Sequence, residues 1–204
     1  MKLQVNNLYK RYNRRYILKD ISFTAARGQS IALTGPNGSG KTTLIKVLSQ
    51  IVRPDKGEVH FSIGDTVIPR EELNRHIGLV GPYLQLYQEL TAYENLIFIA
   101  GLRRVDNAGD RIKKLAAEVG LEKHMHRAVH TYSSGMKQRL KYMFALMGDP
   151  DYLFVDEPTS NLDKAGIAWV YRLLARWKKE KVLVFATNDE PDLEFADKVV
   201  SVVS

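Results

Sequence analysis

Cysteine is absent from the 204-residue sequence, which excludes disulfide bonds and thiolate-bound metals as supports for the fold. Long apolar runs are absent too: the segment that begins at Ile97 meets Arg103 and Arg104 well short of the ~18 continuous apolar residues that a membrane span needs. The first residues turn polar at once, without the basic and apolar regions of a secretory signal. We therefore expect a cytoplasmic chain that does not itself cross a membrane.

The sequence is basic, with a formal net charge of +7 and a pI near 9.5. Such a positive charge is typical of proteins that bind nucleic acid or an anionic membrane surface, and also of proteins that only have a solvated basic face. The interleaved aromatic and basic residues of an RNA-stacking sheet are missing, so we expect no nucleic-acid partner. A hydrophobic content of 45% over this length is enough for one domain with a subdomain.

The most informative stretch is residues 35–43, Gly-Pro-Asn-Gly-Ser-Gly-Lys-Thr-Thr, which fits the phosphate-loop pattern. It lies between an apolar strand, residues 30–34, and a helix that opens at Thr42, which is the context that the motif requires. Glycines let successive backbone N–H groups turn inward and hold phosphate oxygens at a helix N-terminus. The residues expected to bind the phosphates of a nucleotide here are Gly35, Asn37, Gly38, Ser39, Gly40, Lys41, Thr42 and Thr43. A glycine-rich turn before a core helix is the structural alternative.

Within that loop, Lys41 is expected to reach the β- and γ-phosphates and the Thr42 hydroxyl to ligate Mg²⁺. A continuous apolar strand, residues 152–155, ends directly in Asp156 and Glu157. Ligands bind at the carboxyl edge of parallel sheets, so we expect Asp156 to hold Mg²⁺ through water and Glu157 to polarise an attacking water. The alternative for this carboxylate pair is a solvated helix cap.

The remaining pattern predicts an α/β P-loop NTPase, mostly a parallel sheet with an N-terminal antiparallel β part and an inserted helical subdomain. The expected strands cover residues 3–8, 17–23, 30–34, 58–63, 77–80, 152–155, 181–186 and 199–203. A capping box at Thr91 and Glu94 opens the first middle helix, which should run to about Arg104. The next covers residues 110–119, and a third begins at Ser134. In the helix over 164–179, we expect four inward residues: Ile167, Val170, Tyr171 and Leu174.

Three tyrosines, Tyr9, Tyr12 and Tyr16, lie near the turn between the first two strands. An aromatic ring there is suited to stack on a purine, and ordinary strand packing is the alternative. The spacing of the tyrosines alone favours neither stacking on a purine nor strand packing.

At residues 132–136, Tyr-Ser-Ser-Gly-Met followed by Lys-Gln-Arg resembles the signature of the ATP-binding cassette (ABC) family, and residues 160–163 match its D-loop. The resemblance covers essentially the whole chain. It implies a single ATPase domain, residues 1–204, with a nucleotide-binding core at 1–83 and 151–204 and a helical signature subdomain at 84–150.

The same resemblance implies that Ser133 and Gly135 of one copy donate to the γ-phosphate held by a second copy, in a head-to-tail dimer. Tyr12 takes the place of the aromatic that stacks on adenine. The partner implied is a separate integral membrane permease, with this chain peripheral on the inner face of the cell membrane. Within the family, the short signature form is similar to exporter cassettes such as that of the haem exporter of cytochrome c maturation.

Two positions depart from the family's pattern. Gly81 and Pro82 stand where the family has Pro-Gln, with Gln85 and Gln88 nearby, and Asn188 replaces the switch histidine. An asparagine amide donates a hydrogen bond to a γ-phosphate oxygen but carries no positive charge, so slow hydrolysis is expected. The leading hypothesis is an ATPase that powers transport. The alternatives are an ATP-gated dimerising module with little hydrolysis, and a soluble non-transport ABC protein, motivated by the basic charge.

Overall fold

The computed structural model describes residues 1–203, which form two sheets flanked by helices. The strands are β1 (Lys2–Tyr12), β2 (Arg15–Ala26), β3 (Gln29–Thr34), β4 (Lys56–Ile63), β5 (Thr66–Val67), β6 (Ile77–Val80), β7 (Tyr152–Asp156), β8 (Val182–Ala186) and β9 (Lys198–Ser201). The α-helices are α1 (Lys41–Leu48), α2 (Leu73–His76), α3 (Ala92–Arg103), α4 (Ala108–Val119), α5 (Ser134–Leu146), α6 (Lys164–Glu180) and α7 (Glu190–Leu193). Short 3₁₀ turns cover Glu122–His124 and Val129–Thr131.

The N-terminal sheet is antiparallel, in the order β2-β1-β4-β5. The second sheet is parallel throughout, in the order β6-β7-β8-β3-β9. The expected α/β class, with an antiparallel N-terminal part and a parallel sheet, is confirmed. In parallel strands the carboxyl ends share one edge, which places the residues after β3, β7 and β8 beside one another.

The central strands of the parallel sheet are buried on both faces, and successive residues alternate between two cores. In β7, Tyr152 and Phe154 belong to the core shared with α1 and the antiparallel sheet, whereas Leu153 and Val155 face the core formed with α3 to α6. This alternation follows from the two-residue period of a strand. The alternation also predicts which face of the sheet carries the side chain of Asp156, the last residue of β7. Asp156 follows Phe154 by two residues, so both side chains lie on the face that packs against α1.

Tyr152 also joins the two sheets. Its hydroxyl lies within hydrogen-bonding distance of two backbone carbonyl oxygens, at 2.8 Å from Ser62 in β4 and 3.3 Å from Lys2 in β1. Its ring packs edge-on against Phe61, with the ring centroids 5.0 Å apart. The strand that ends at Asp156 is therefore fixed at its other end to the antiparallel sheet.

The middle of the chain is helical, as expected, and local sequence signals set its boundaries. The Thr91 hydroxyl accepts from the Glu94 N–H, and the Glu94 carboxylate accepts from the Thr91 N–H, so the predicted capping box is confirmed. α4 ends at Gly120, whose φ of +70° is the left-handed conformation that favours glycine. The division of the chain at residues 84 and 150 stays a prediction.

The inward face of α6 differs in part from the expectation. Val170 and Leu174 are buried as predicted, but Ile167 and Tyr171 are only half-buried. Leu173 and Trp177 complete the buried face instead. The buried stripe of this helix is therefore rotated towards its Leu173 side, which faces β8 and β3 of the parallel sheet.

Candidate nucleotide site

The phosphate loop connects β3 to α1 and is shaped by close backbone contacts. A Cβ atom at Gly35, where φ is +145°, would lie 2.3 Å from the Val202 carbonyl oxygen. At Gly40, where φ is +108°, it would lie 2.8 Å from a methyl group of Ile17. Only glycine fits at both positions, and α1 begins immediately afterwards, at Lys41. The loop thus presents the N-terminus of a helix, as the sequence predicts.

Lys41 folds back over the loop that precedes it. Its ammonium group donates to the carbonyl oxygens of Gly35, at 2.7 Å, and Pro36, at 3.1 Å. The hydroxyl oxygen of Ser39 is buried and has no hydrogen-bond partner among residues 1–203. A positive charge and an unpartnered hydroxyl therefore lie within the same turn of chain, which suits an anionic ligand.

A cleft of about 370 Å³ opens over the loop and gathers most of the predicted site residues. Its lining consists of Tyr12, Ile17, Asn37, Gly38, Gly40, Lys41, Thr42, Thr43, Asp156, Glu157 and Asn188. Of the remaining predicted loop residues, Gly35 packs against Val202 and Ser39 is buried beneath the loop. Ile17 was not singled out from the sequence, because an apolar residue in an alternating strand carries no signal of a site.

Asp156 faces α1, as the strand parity requires, and is 2% exposed. Burial raises the pKa of its carboxyl, the charge of Glu157 adds to that rise, and the Thr42 hydroxyl and two lysines oppose it. One carboxylate oxygen, Oδ2, is buried with no hydrogen-bond partner in the described part of the chain. A buried carboxylate oxygen next to a threonine hydroxyl is stabilised by a hard cation, so these residues fit Mg²⁺.

Glu157 lies one residue beyond β7 and is exposed in the cleft. Its backbone adopts a φ of +55°, which non-glycine residues rarely do. Its N–H donates to the Ala186 carbonyl oxygen at 2.9 Å, which fixes this conformation against the end of β8. The turn separates the side chains of Asp156 and Glu157, so that one is buried near α1 and the other is open to solvent.

Asn188 follows β8 and contacts the phosphate loop directly. Its Nδ2 donates to Oδ1 of Asn37 at 2.6 Å. The preceding residue, Thr187, donates from its hydroxyl to the buried carboxylate of Asp192, also at 2.6 Å, and Tyr171 donates to the other oxygen of Asp192 at 3.0 Å. Burial raises the pKa of Asp192. Asp192 was missed from the sequence, where it reads as one more surface acid in a polar stretch.

The signature residues lie outside the nucleotide cleft of their own chain. Ser133 caps α5, and its hydroxyl oxygen accepts from the Met136 N–H at 3.2 Å, which leaves its hydrogen free to donate outward. Gly135 lies in the first turn of α5, close to the carbonyl oxygen of Asn161. The Arg139 guanidinium donates to the Asp163 carboxylate at 2.7 Å, so α5 and the start of α6 are tied together. Neither Ser133 nor Gly135 is among the described residues that line the cleft.

The two glutamines after β6 do not face the nucleotide cleft. Gln85 and Gln88 line a separate groove of about 290 Å³ against α5. Tyr83, in the same loop, packs against the core shared with α1, and its ring lies 4.3 Å from the Lys46 ammonium. Sequence reasoning missed Tyr83, because its position depends on contacts between distant segments.

Comparison with known proteins agrees with this geometry. Residues 18–160 match the family described as ABC transporter. The chain is 39% identical over 167 residues to the linearmycin resistance ATP-binding protein of Bacillus subtilis (strain 168). It is 32% identical over 189 residues to the lantibiotic transport ATP-binding protein of Streptococcus pyogenes. The chain belongs to the ABC transporter family, as an ATP-binding domain.

Coverage and structure define the extent of this likeness. The linearmycin alignment spans 79% of this chain but only 52% of that protein, and the lantibiotic alignment spans 91% of the chain and 79% of its relative. A solved ATP-binding subunit of an ABC transporter superposes with a TM-score of 0.88 at 27% identity, covering 100% of this chain and 86% of its own. A dimeric ATP-binding cassette bound to ADP and phosphate superposes with a TM-score of 0.87 at 24% identity. The superposition covers 98% of this chain and 94% of the other, and it supports the fold. The P-loop NTPase fold is confirmed. Over residues 1–203, no helix has the length and apolar character to cross a membrane.

Proposed function

We propose that this chain binds and hydrolyses ATP to power transport by a separate membrane permease. The observation that carries the proposal is the single cleft lined by Tyr12, the phosphate loop, Asp156, Glu157 and Asn188. It combines an aromatic ring, a phosphate nest and two carboxylates, which are the parts that a purine nucleoside triphosphate needs. The named relatives are resistance and transport ATP-binding proteins, which supports a role in transport.

In this proposal, binding depends on the two ends of the cleft. The Tyr12 ring is 46% exposed and stacks on adenine. The loop N–H groups hold the phosphates, and Lys41 exchanges its contacts with the Gly35 and Pro36 carbonyls for the β- and γ-phosphates. The Thr42 hydroxyl and, through water, the Asp156 carboxylate would hold Mg²⁺, which would supply positive charge against the charge that develops on the phosphates.

Hydrolysis is assigned to Glu157 and Asn188. The Glu157 carboxylate accepts a proton from a water molecule as the water oxygen bonds to the γ-phosphorus. The bond from that phosphorus to the bridging oxygen breaks, and its electron pair stays on ADP. Asn188 donates a hydrogen bond to a γ-phosphate oxygen through the Nδ2 hydrogen that Asn37 does not accept. Since its amide is neutral, we expect slower turnover than a charged donor would give.

The signature residues support a head-to-tail dimer. Ser133 and Gly135 stand at the N-terminus of α5, where N–H groups point outward, yet they do not line the cleft of the same chain. A second copy placed head to tail brings this helix end to the γ-phosphate. Each of the two ATP molecules then lies between the phosphate loop of one copy and the signature residues of the other.

An exposed apolar patch on α3 and in the segment just before it supports the permease partner. The patch comprises Tyr87, Ile97, Phe98 and Leu102, with exposures between 39% and 59%. Phe98 and Leu102 are one helical turn apart, and the Tyr87 ring packs edge-on against Phe98, with 5.3 Å between centroids. Contiguous exposed apolar side chains mark interaction sites. We propose that this patch binds the cytoplasmic surface of the permease. The chain would then lie on the inner face of the membrane.

The second candidate is an ATP-gated dimer with little hydrolysis. It is favoured by the bond between Asn188 and Asn37 and by Pro82 in the place of a glutamine. The deciding experiment measures phosphate release from Mg-ATP by the purified chain, with and without membrane vesicles from the cells that make it, and with Glu157→Gln as the control. Release that needs Glu157 supports the ATPase. ATP-induced dimerisation without release, with or without vesicles, supports the gated module and refutes the ATPase.

A further inference from the structure

The carboxylate of Asp192 is buried behind the turn that carries Asn188. Its side chain is 0% exposed, and both of its oxygens accept hydrogen bonds. Oδ2 accepts from the Thr187 hydroxyl at 2.6 Å, and Oδ1 accepts from the Tyr171 hydroxyl at 3.0 Å. Burying a carboxylate is costly unless its oxygens are paired, and here the two donors come from different elements. Asp192 is therefore held in one orientation from two sides.

Tyr171 provides the side that faces away from the cleft. It lies on α6, and its ring stacks on that of Phe195, with 4.6 Å between the centroids. Phe195 follows Asp192 by three residues, so the ring and the hydroxyl of Tyr171 both contact the segment that contains α7. The Asp192 carboxylate is thereby anchored to a long helix that packs on the parallel sheet.

Thr187 provides the other side. Its hydroxyl has a single hydrogen, which it donates to Asp192, so towards any other neighbour the oxygen can only accept. That neighbour is the Asp189 N–H, at 2.9 Å. The Asp192 N–H closes the turn by donating to the Asp189 carbonyl oxygen at 3.2 Å. Asn188 lies between Thr187 and Asp189, so both of its chain neighbours are bonded to Asp192 or to the hydroxyl that Asp192 holds.

Asn188 projects from this fixed turn to the phosphate loop, where its Nδ2 donates to Oδ1 of Asn37. Asn188 lines the nucleotide cleft, whereas Thr187 and Asp192 are not among the described residues that line it. A neutral amide has no charge that draws it to a phosphate oxygen, so its contribution depends on where the backbone holds it. The buried carboxylate therefore lies one step behind a side chain that faces the ligand.

We propose that Asp192 is a positioning residue for Asn188: by holding the Thr187 hydroxyl, it fixes the turn from which the Asn188 amide reaches the γ-phosphate. The inference rests on the proposed function, since it assumes that ATP is the ligand and that Asn188 contributes to its hydrolysis. Asp192 itself does not touch the nucleotide.

The test compares single-turnover phosphate release from Mg-ATP with ATP affinity measured by calorimetry. Thr187→Val keeps the shape of the side chain but removes its bonds to Asp192 and to the Asp189 N–H. Asp192→Asn replaces one accepting oxygen by a donor. We expect each variant to lower the release rate by about two- to tenfold, up to the loss that Asn188→Ala causes, and to leave ATP affinity within about twofold of the parent.

Asp197 supplies a matched control. Its carboxylate accepts from the N–H and the hydroxyl of Ser30, so it joins the segment before β9 to the amino end of β3, at the edge of the sheet opposite the cleft. Asp197→Asn makes the same chemical change as Asp192→Asn. It should leave both the release rate and the ATP affinity unaltered.

Two further comparisons separate positioning from general support of the fold. In the Asn188→Ala background, Thr187→Val and Asp192→Asn should have no additional effect, because the group that they position is gone. Heteronuclear NMR of the ligand-free protein gives a readout besides activity. The side-chain amide signals of Asn188, identified by their loss in Asn188→Ala, should shift in Thr187→Val and Asp192→Asn but stay in place in Asp197→Asn.

The possible failures of the inference and of the proposed function are distinct. A parent-like release rate for Thr187→Val, in a parent whose release needs Glu157, would overturn the inference and leave the ATPase standing. So would losses that are as large in the Asn188→Ala background as in the parent, because Asp192 would then act through the fold alone. Should Asp192→Asn fail to fold, Thr187→Val, which keeps the carboxylate and its bond to Tyr171, decides the question by itself. A parent that releases no phosphate refutes the inference and the ATPase together.

Discussion

Nδ2 of Asn188 donates to Oδ1 of Asn37 across 2.6 Å, which joins the end of β8 to the phosphate loop. Nδ2 carries two hydrogens, so the bond to Asn37 uses one and leaves the other to donate to a γ-phosphate oxygen in the proposed mechanism. That second bond comes from a neutral amide and is weaker than a bond from a charged donor.

The first prediction concerns this neutral donor. Asn188→His should raise turnover by about five- to thirtyfold, because a charge-assisted bond adds ~1–2 kcal/mol of transition-state stabilisation. ATP affinity, dominated by the loop and Lys41, should stay nearly the same. Phosphate release and calorimetry measure the two quantities. A flat rate for Asn188→His together with an inactive Asn188→Ala would show that asparagine is fully adapted here.

A second prediction concerns the loop lysine. Lys41→Ala should weaken Mg-ATP binding by at least about tenfold, since a hydrogen bond from a charged group is worth ~1.5–3 kcal/mol. The variant also loses the two contacts to the Gly35 and Pro36 carbonyls. Lys113→Ala, which removes an exposed charge on α4, is the control for the change in net charge. Equal ATP affinity of Lys41→Ala and the parent in calorimetry would refute the phosphate-site assignment.

The third prediction concerns the carboxylate of Glu157. Glu157→Gln preserves the shape of the side chain but removes the base, so ATP should hold the variant as a dimer. Size-exclusion chromatography with Mg-ATP should show a dimer for Glu157→Gln and a smaller dimer fraction for the parent. Glu122→Gln makes the same chemical change at an exposed residue that does not line the cleft, and it should behave as the parent does. A monomeric Glu157→Gln variant that still hydrolyses ATP would contradict the role given to Glu157.

The fourth prediction concerns pH and Asp192. Burial raises its pKa above the ordinary value of 3.8. At pH values between 3.8 and the raised pKa, the folded protein therefore binds more protons than the unfolded chain. The free energy of unfolding attributable to this group should fall as pH rises through that window and then level off. Urea unfolding from about pH 4 to pH 7 should show the stability of the parent declining relative to Asp192→Asn, which does not titrate. A relative stability that rises with pH would have the wrong sign.

Local signals made much of this fold predictable. The capping box of Thr91 and Glu94, the stop at Gly120 and the glycine-rich loop all depend on residues a few positions apart, and each is found as expected. The position of Asp156 also followed, because a strand buried on both faces must end at the ligand-binding edge of a parallel sheet.

What the sequence did not reveal depends on contacts between distant segments. Tyr83 is defined by Gly81 and by Lys46 on another element, and the Asp192 carboxylate is buried only because Tyr171 and Thr187 close over it. The face of α6 was partly misjudged for the same reason, since the packing of this helix against β8 and β3 buries Trp177 rather than Ile167. Periodicity defines an amphipathic helix, but the neighbours decide which part of its stripe is covered.

The buried hydroxyl of Tyr152 connects the start of β7 to β4 and β1. β7 ends at Asp156, and β1 ends at Tyr12. We therefore expect this junction to help fix the distance between the Tyr12 ring and the Asp156 carboxylate. In the proposed function these two side chains meet opposite ends of the nucleotide, so a contact outside the cleft would contribute to its preference for the length of a nucleoside triphosphate. Loosening this junction would reduce selection by length among mono-, di- and triphosphates while every residue that meets the nucleotide stayed intact.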